Sequence, residues 1–458
     1  MAHGLTLTPG FIDVHTHDDM ALIHTPDMRA KVSQGVTTVI TGLCGYSAAP
    51  LPPGAVLPDE YDILIPEGGR TFDRFADYLA AVDAAGPAVN SLALVGHSSL
   101  RVAAMPDLAR AACADELALM CRLLDQSLED GTAGLSPGLA YAMASAASTQ
   151  ELVTLCTRLA QRQVPYVTHV RDEADGLIDA VAEALEIGRR AGVPVILSHH
   201  KALGARNHGT VARTLGMIDA ACECQTVGLD VYPYTYSSTS LTPARAARGG
   251  RILVTRSASM PSAVGRTLTD VAAELGCDPV EAARRLQPAG ALFYLMAEAD
   301  VRNVLLHPLT MIGSDGLPFD PMPHPRLWGT FPRILGHYVR ELGLLTLENA
   351  VHKMTGLPAR FFGLPDRGVI ADNAFADLVL IDPASVADHA VLSDRIAASD
   401  GIRHVWVNGR AAVSGAGQRL RSVPAEERDQ TPRNASPGEH DRRGKASLQH
   451  TLASERRR

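Results

Sequence analysis

Short apolar, β-branched runs recur along the chain, each followed by a stretch with helical spacing. The runs are GFIDV (10–14), VTTVITGL (36–43), SLALVG (91–96), TAGLS (132–136), PYVTH (165–169), PVILSH (194–199), VGLDVY (227–232) and TMIGSD (310–315). Apolar runs of about four to eight residues bounded by turn signals read as buried strands. Between them, the segment from Glu173 to Ala191 puts Leu177, Ile178, Val181 and Leu185 on one face, and Gly192 follows as a stop. Similar spacing predicts helices at 72–85, 114–128, 149–163, 208–221, 331–342 and 347–354. Strands alternating with helices imply βαβ units and a parallel sheet; eight such units predict an α/β fold, a (β/α)8 TIM-like barrel.

The barrel is expected over residues 9–362. Stretches rich in Pro or Gly at 48–70 and 240–266 follow the second and seventh strands, on the side where a barrel keeps its catalytic loops. The second lies in an insertion at about 233–300 that reads as a lid. Beyond Gly363 the pattern changes: FADLVLID (375–382) and IRHVWVNGRAAV (402–413) read as strands of a small β domain at 363–417, with residues 1–8 as its N-terminal remnant. Residues 418–458, rich in Arg, Glu, Ser, Pro and Gln, are expected to be a disordered tail.

Composition narrows the class. The 458 residues are 46% hydrophobic and 20% charged, ordinary for a globular protein and too apolar for a disordered one. Net charge is −8, but residues 418–458 carry ten Lys or Arg against six Asp or Glu, which leaves −12 on the body. An acidic body argues against a nucleic-acid partner. The seven cysteines show no paired CxxC spacing, which argues against a disulfide framework and for a reducing, cytoplasmic setting. No apolar run approaches the ~18 residues needed to cross a membrane. The sequence leaves the oligomeric state open.

Position supplies the chemistry. His15 and His17 close the first strand, Cys44 follows the second, His97 the third, His169 the fifth, His199 and His200 the sixth, and Asp315 the eighth. These are C-terminal strand ends, where a barrel builds its active site. A single histidine of this kind is more often a hydrogen-bonded structural residue than a ligand; six positions in one register reverse that expectation. Both imidazoles of His15-x-His17 fall on one side of the pleat and can reach one ion. Cys44, between glycines in GLCGYS, would make with His169 and His199 a zinc site of one thiolate and two imidazoles, with an open position for water; a nucleophilic cysteine is the rival role. Lys201, one of four lysines, and Arg326 in PHPRLWG are candidates for a substrate carboxylate, with Tyr141 and Tyr232 beside them. A plain loop cation is about equally expected for each base.

At PGFIDVHTHDD the chain resembles the amidohydrolase superfamily. The position after the fourth strand reads GLSPGLAY, with no lysine to be carboxylated. That departure disfavours the dihydroorotase-like and dihydropyrimidinase-like members. LCGYSAAP, GHSSLR, GLSPGLAYA, THVRDE, LSHHKALG, DVYPYT, MIGSDGLP, PHPRLWGTFPRILG and KMTGLPARFFGLPDRG are similar to the D-aminoacylase, or N-acyl-D-amino-acid deacylase, family and run in order from residue 9 to about 415. The resemblance implies a tight zinc on Cys44, His169 and His199, a second, weaker metal site at His15 and His17, and Asp315 as catalytic acid/base. It implies an N-acyl-D-amino acid as the small-molecule substrate. It also implies a small β-sandwich domain, shortened here because eight residues precede Pro9 where the family has about fifty. The rival readings are another amidohydrolase, a cyclic amidase or deaminase, and a catalytically impaired scaffold homologue.

Overall fold

The computed structural model describes residues 4–55, 57–66, 68–392, 394–412 and 417–422. Its first strand, β1 (Thr6–Pro9), is followed by β2 (Phe11–Asp13), β3 (Val36–Thr41), β4 (Asn90–Ala93), β5 (Val95–Gly96), β6 (Leu135–Ser136), β7 (Tyr166–Thr168), β8 (Val195–Leu197) and β9 (Val227–Val231). β2, β3 and β4 form one parallel run, and β5 to β9 form another that ends on the later strand Thr310–Ile312. The two runs meet on both sides. Leu94 between β4 and β5 donates to Thr41, and Val95 donates to Gly134. At the other seam the Asp315 amide donates to the His15 carbonyl at 2.7 Å, and Thr16 bridges Gly316 in parallel. The result is the closed parallel barrel expected from the sequence pattern. Its interior is filled by Ile12, Val14, Ile40, Leu92, Val167, Ile196 and Met311, all buried.

The helices follow their predicted faces. Leu177–Ala191 buries Leu177, Val181 and Leu185 and ends at Gly192, whose φ of 70° is the left-handed stop that glycine adopts without strain. The helix expected at 331–342 differs: an α-helix over Arg326–Arg333 passes into π-helical turns over Ile334–Glu341, with Pro332 inside. Proline lacks an amide donor, so the regular ladder is interrupted there.

Between β9 and the last barrel strand, the insertion builds its own antiparallel sheet from β10 (Ser237–Ser240), β11 (Arg251–Ser257) and β12 (Ala289–Tyr294), in the order β10-β12-β11. The last barrel strand is β13 (Thr310–Ile312). The small β unit is a four-stranded antiparallel sheet in which β1 lies beside β14 (Leu378–Ile381), then β15 (Ile402–Val407) and β16 (Arg410–Ala411). The N-terminal residues thus supply one strand of this unit, and β14 has a partner on each side. The described residues also continue past 418: the Gln418 carbonyl accepts from Ser91, and the Leu420 amide returns a bond to Ser91 at 2.7 Å. Composition misplaced that boundary because a polar strip on the edge of β4 needs backbone bonds, not apolar side chains. The rest of the expected tail, 423–458, lies outside the described residues.

Candidate metal centre and active site

Cys44, His199 and Asp315 each sit just past a barrel strand with a positive φ, 54°, 35° and 50° respectively. Residues other than glycine avoid that region, and such strain collects where the fold must aim a side chain. Close approach does the rest. A Cβ at Gly138 would lie 2.0 Å from the Cys44 carbonyl, and one at Gly313 would lie 2.4 Å from the His15 Cβ. Only glycine lets the Cys44 loop and the end of β2 come this near their neighbours.

The ligand atoms then converge. His15 Nε2 lies 3.2 Å from Cys44 Sγ, which lies 3.3 Å from His199 Nε2. Asp315 Oδ1 is 3.2 Å from His17 Nε2 and 3.7 Å from His15 Nε2. The His169 ring stands 4.4 Å from that of His199, centroid to centroid. Three overlapping groups, His15–Cys44–His199, His15–His17–Asp315 and His169–Glu173–His199, each hold their ligand atoms within 4.8 Å of one another. All are buried.

The donor set suits a cation. Burial alone would raise the Cys44 thiol, but the imidazoles of His15 and His199 hold it well below its ordinary value. Burial would likewise raise Asp315, and Arg326 with His17 holds it well below the usual carboxylate range. His17 moves against its burial, up to about 9, because Asp315 accepts its hydrogen bond. Both nitrogens of His169, and Nδ1 of His17, are buried without a hydrogen-bond partner among the described residues, and Glu173 lies 3.5 Å from His169 Nε2. Buried imidazole nitrogens normally find partners, so these fit a metal.

Two carboxylates that the sequence reading passed over support the histidines. Asp230, on β9, faces His15 Nδ1 at 3.3 Å and accepts the His199 amide at 2.9 Å. Glu173, four residues after His169, lies 3.2 Å from His199 Nδ1 and pairs with Lys201, which also donates to the His199 carbonyl at 2.8 Å. Glu173 stood in THVRDE at i+4 from a strand-end histidine, a signal available but unused.

Above the centre opens a cavity of about 460 Å³. Tyr141, His169, Glu173, His199, Lys201, Tyr232 and Asp315 line it from the barrel. From the insertion come Ser238, Pro243, Arg245, Arg248, Phe293 and Leu295. Arg326 is fully buried behind this wall, its guanidinium 2.9 Å from Asp315 Oδ2, 3.1 Å from the Ser238 carbonyl and 4.5 Å from the Tyr232 ring. Lys201 lies 5.6 Å from the same ring. Arg245 stacks at 5.0 Å on Tyr141, which stands edge-on to His169 at 4.9 Å. Sequence periodicity had no way to place Arg245 and Arg248, because an insertion folds back over the barrel only in three dimensions. His97 and His200 point elsewhere, to Glu151 and Thr214.

Residues 2–413 match the model of an amidohydrolase family. The chain is 51% identical over 415 residues to the N-acyl-D-aspartate deacylase of Alcaligenes xylosoxydans xylosoxydans, covering 90% of this chain and 83% of that one. It is 49% identical to the D-aminoacylase of the same organism, covering 89% and 84%. A crystal structure of D-aminoacylase superposes with a TM-score of 0.89 at 48% identity, covering 91% and 90%. So does, at 46% and covering 92% and 90%, N-acyl-D-glutamate deacylase from Bordetella bronchiseptica complexed with zinc and a phosphonate mimic of the tetrahedral intermediate. A D-hydantoinase shares the fold alone, at 15% identity and a TM-score of 0.55. The chain belongs to the amidohydrolase family, and within it to the D-aminoacylases.

Proposed function

We propose that this protein hydrolyses the amide of N-acyl-D-amino acids, giving a carboxylate and a free D-amino acid, with zinc held by Cys44, His169 and His199 and a weaker second metal at His15 and His17. The observation that carries the reading is the overlap of clusters that hold a buried thiol, four imidazoles and Asp315, with His169, His199 and Asp315 lining one cavity. Zinc bound there would lower the pKa of water and polarise the acyl carbonyl. Asp315 takes the water proton on Oδ1 and later delivers it to the leaving amine; Arg326 on Oδ2 keeps the carboxylate ionised and fixed. The donor set is intact, which argues against an impaired scaffold. The dihydropyrimidinase-like alternative has only the shared fold behind it.

Lys201 and Tyr141, which line the cavity together with Tyr232, suit the α-carboxylate, whereas Arg326, fully buried and paired with Asp315, acts on the Asp315 carboxylate rather than on the substrate. Arg245 adds a further cation. Its hydrogen bond goes to the Ser240 carbonyl at 3.3 Å rather than to a carboxylate, so it is placed to receive an anionic side chain. An acidic D-residue, aspartate or glutamate, is therefore the preferred substrate in this reading, in keeping with the names of two of the relatives. All seven cysteines are unpaired, which suits a cytoplasmic setting. The test is turnover of N-acetyl-D-aspartate, -glutamate, -leucine and -methionine with their L-enantiomers, alongside zinc content. D-selective hydrolysis by the zinc-loaded protein is expected. No turnover of any D-substrate at full zinc occupancy would refute the activity.

A further inference from the structure

Lys31 is one of four lysines among 42 basic residues, and its side chain is 1% exposed. Its ammonium donates to Asp13 Oδ2 at 2.9 Å and to Ser314 Oγ at 2.9 Å, and lies 3.1 Å from Asp18 Oδ2. Asp13 comes two residues before His15, Asp18 directly follows His17, and Ser314 directly precedes Asp315. A second link closes the same seam, since Asp13 Oδ1 accepts the Ser314 amide at 2.8 Å. One buried cation thus touches residues that bracket the histidine pair on both sides and the aspartate on one.

We propose that Lys31 is a positioning residue that sets the spacing between the His15/His17 pair and Asp315, and through it how tightly that trio holds a cation. An ammonium suits the task because it donates to Asp13 and Ser314, at the ends of two different strands, while its compact charge faces Asp18; a planar guanidinium does not fit that spacing. Without it, Asp13 and Asp18 are two buried carboxylates with no counter-charge, and they separate. The end of β2 then drifts from the end of β13, and the 3.2 Å and 3.7 Å approaches of Asp315 to His17 and His15 lengthen. The Cys44–His199 contact belongs to other strands and is kept.

The test takes zinc-loaded wild-type protein, Lys31→Met, Lys31→Arg and the milder Ser314→Ala. Each is dialysed to equilibrium against rising zinc, with bound metal read by elemental analysis and N-acetyl-D-amino-acid turnover measured on the same samples. The activity arm rests on the hydrolytic reading; the metal arm does not, so a wild-type protein that binds zinc without turnover refutes that reading alone. The expected result is a first equivalent held as in wild type and a second bound about 10–100-fold more weakly in Lys31→Met, the usual scale for a group that orients ligands. Lys31→Arg should not restore it, Ser314→Ala should show a smaller loss, and kcat should fall with KM nearly unchanged. Wild-type affinity for the second equivalent in folded Lys31→Met would overturn the proposal, as would loss of the first equivalent. If Lys31→Met fails to fold, wild-type second-metal affinity in Ser314→Ala overturns it.

Discussion

His97 and His200 look, in sequence, like the other strand-end histidines, yet they occupy a different chemical region of the barrel mouth. His15, His17 and His169 face a thiol or carboxylates, and those anions raise their affinity for a proton against the effect of burial. His200 is driven by burial and by Lys201 down to about 3, and His97 is also lowered by its burial. The first set therefore favours a cation in its midst, and the second consists of neutral rings that hold structure together. Strand register brings both sets to the same end of the barrel. The partner across the loop decides which becomes a site.

The sharpest way to break that comparison is at Asp315. If it carries the proton for the converging set, Asp315→Asn should keep the tight zinc and a similar KM while kcat falls by roughly 10²–10⁴. A zinc-replete Asp315→Asn protein at near wild-type rate would move the base elsewhere. Asp230 comes next in expected effect, because it touches His15 Nδ1 and the His199 amide without facing the cavity. Asp230→Asn should weaken zinc retention by about 10–100-fold, measured by competition with a chelator. Unchanged retention would mean that glycine packing alone aims these histidines.

What the sequence revealed follows from how the two regions are built. The eight strands were visible because a fully buried parallel strand is rich in apolar and β-branched residues on both faces, as in VTTVIT and PVIL. The candidate ligands at the strand ends were visible because they immediately follow those runs. Asp230 was hidden inside a strand, Glu173 at the start of a loop, and Arg245 in an insertion whose return over the barrel no local pattern encodes. His97 shows the converse: it follows a strand as the candidate ligands do, but it opens the helix His97–Ala104 and pairs with buried Glu151.

Arg245 offers a test from the cavity side. Arg245→Leu should lower kcat/KM for N-acetyl-D-aspartate or -glutamate by about tenfold or more, the usual worth of a charge-assisted bond, and leave N-acetyl-D-leucine within about twofold. An equal loss on both substrate types would reassign Arg245 to the α-carboxylate.

The smallest effect on turnover, and the other half of the comparison, is expected at Glu151. Its carboxylate takes Arg101 at 2.7 and 2.9 Å and His97 at 2.9 Å, all buried, and none of the three lines the cavity. Burial would raise this carboxyl; the hydrogen bond from His97 and the Arg101 guanidinium hold it down at about 2, against an ordinary value of 4.5. A carboxylate depressed on folding contributes stability that is fully present above 4.5 and is lost as pH falls towards 2, with an upper bound of about 3 kcal/mol. Glu151→Gln removes that contribution and leaves Arg101 buried without its counter-ion. Urea denaturation should show wild type more stable by a constant margin above about pH 5, and the margin should narrow by about 1 kcal/mol at pH 3.5. Because acid also protonates the site carboxylates in both proteins, the margin between them is the quantity to follow, not the stability of either. At neutral pH, kcat and KM of folded Glu151→Gln should match wild type. A fall in kcat at full zinc occupancy would place the His97 network in the catalytic region and erase the distinction between the two sets of histidines.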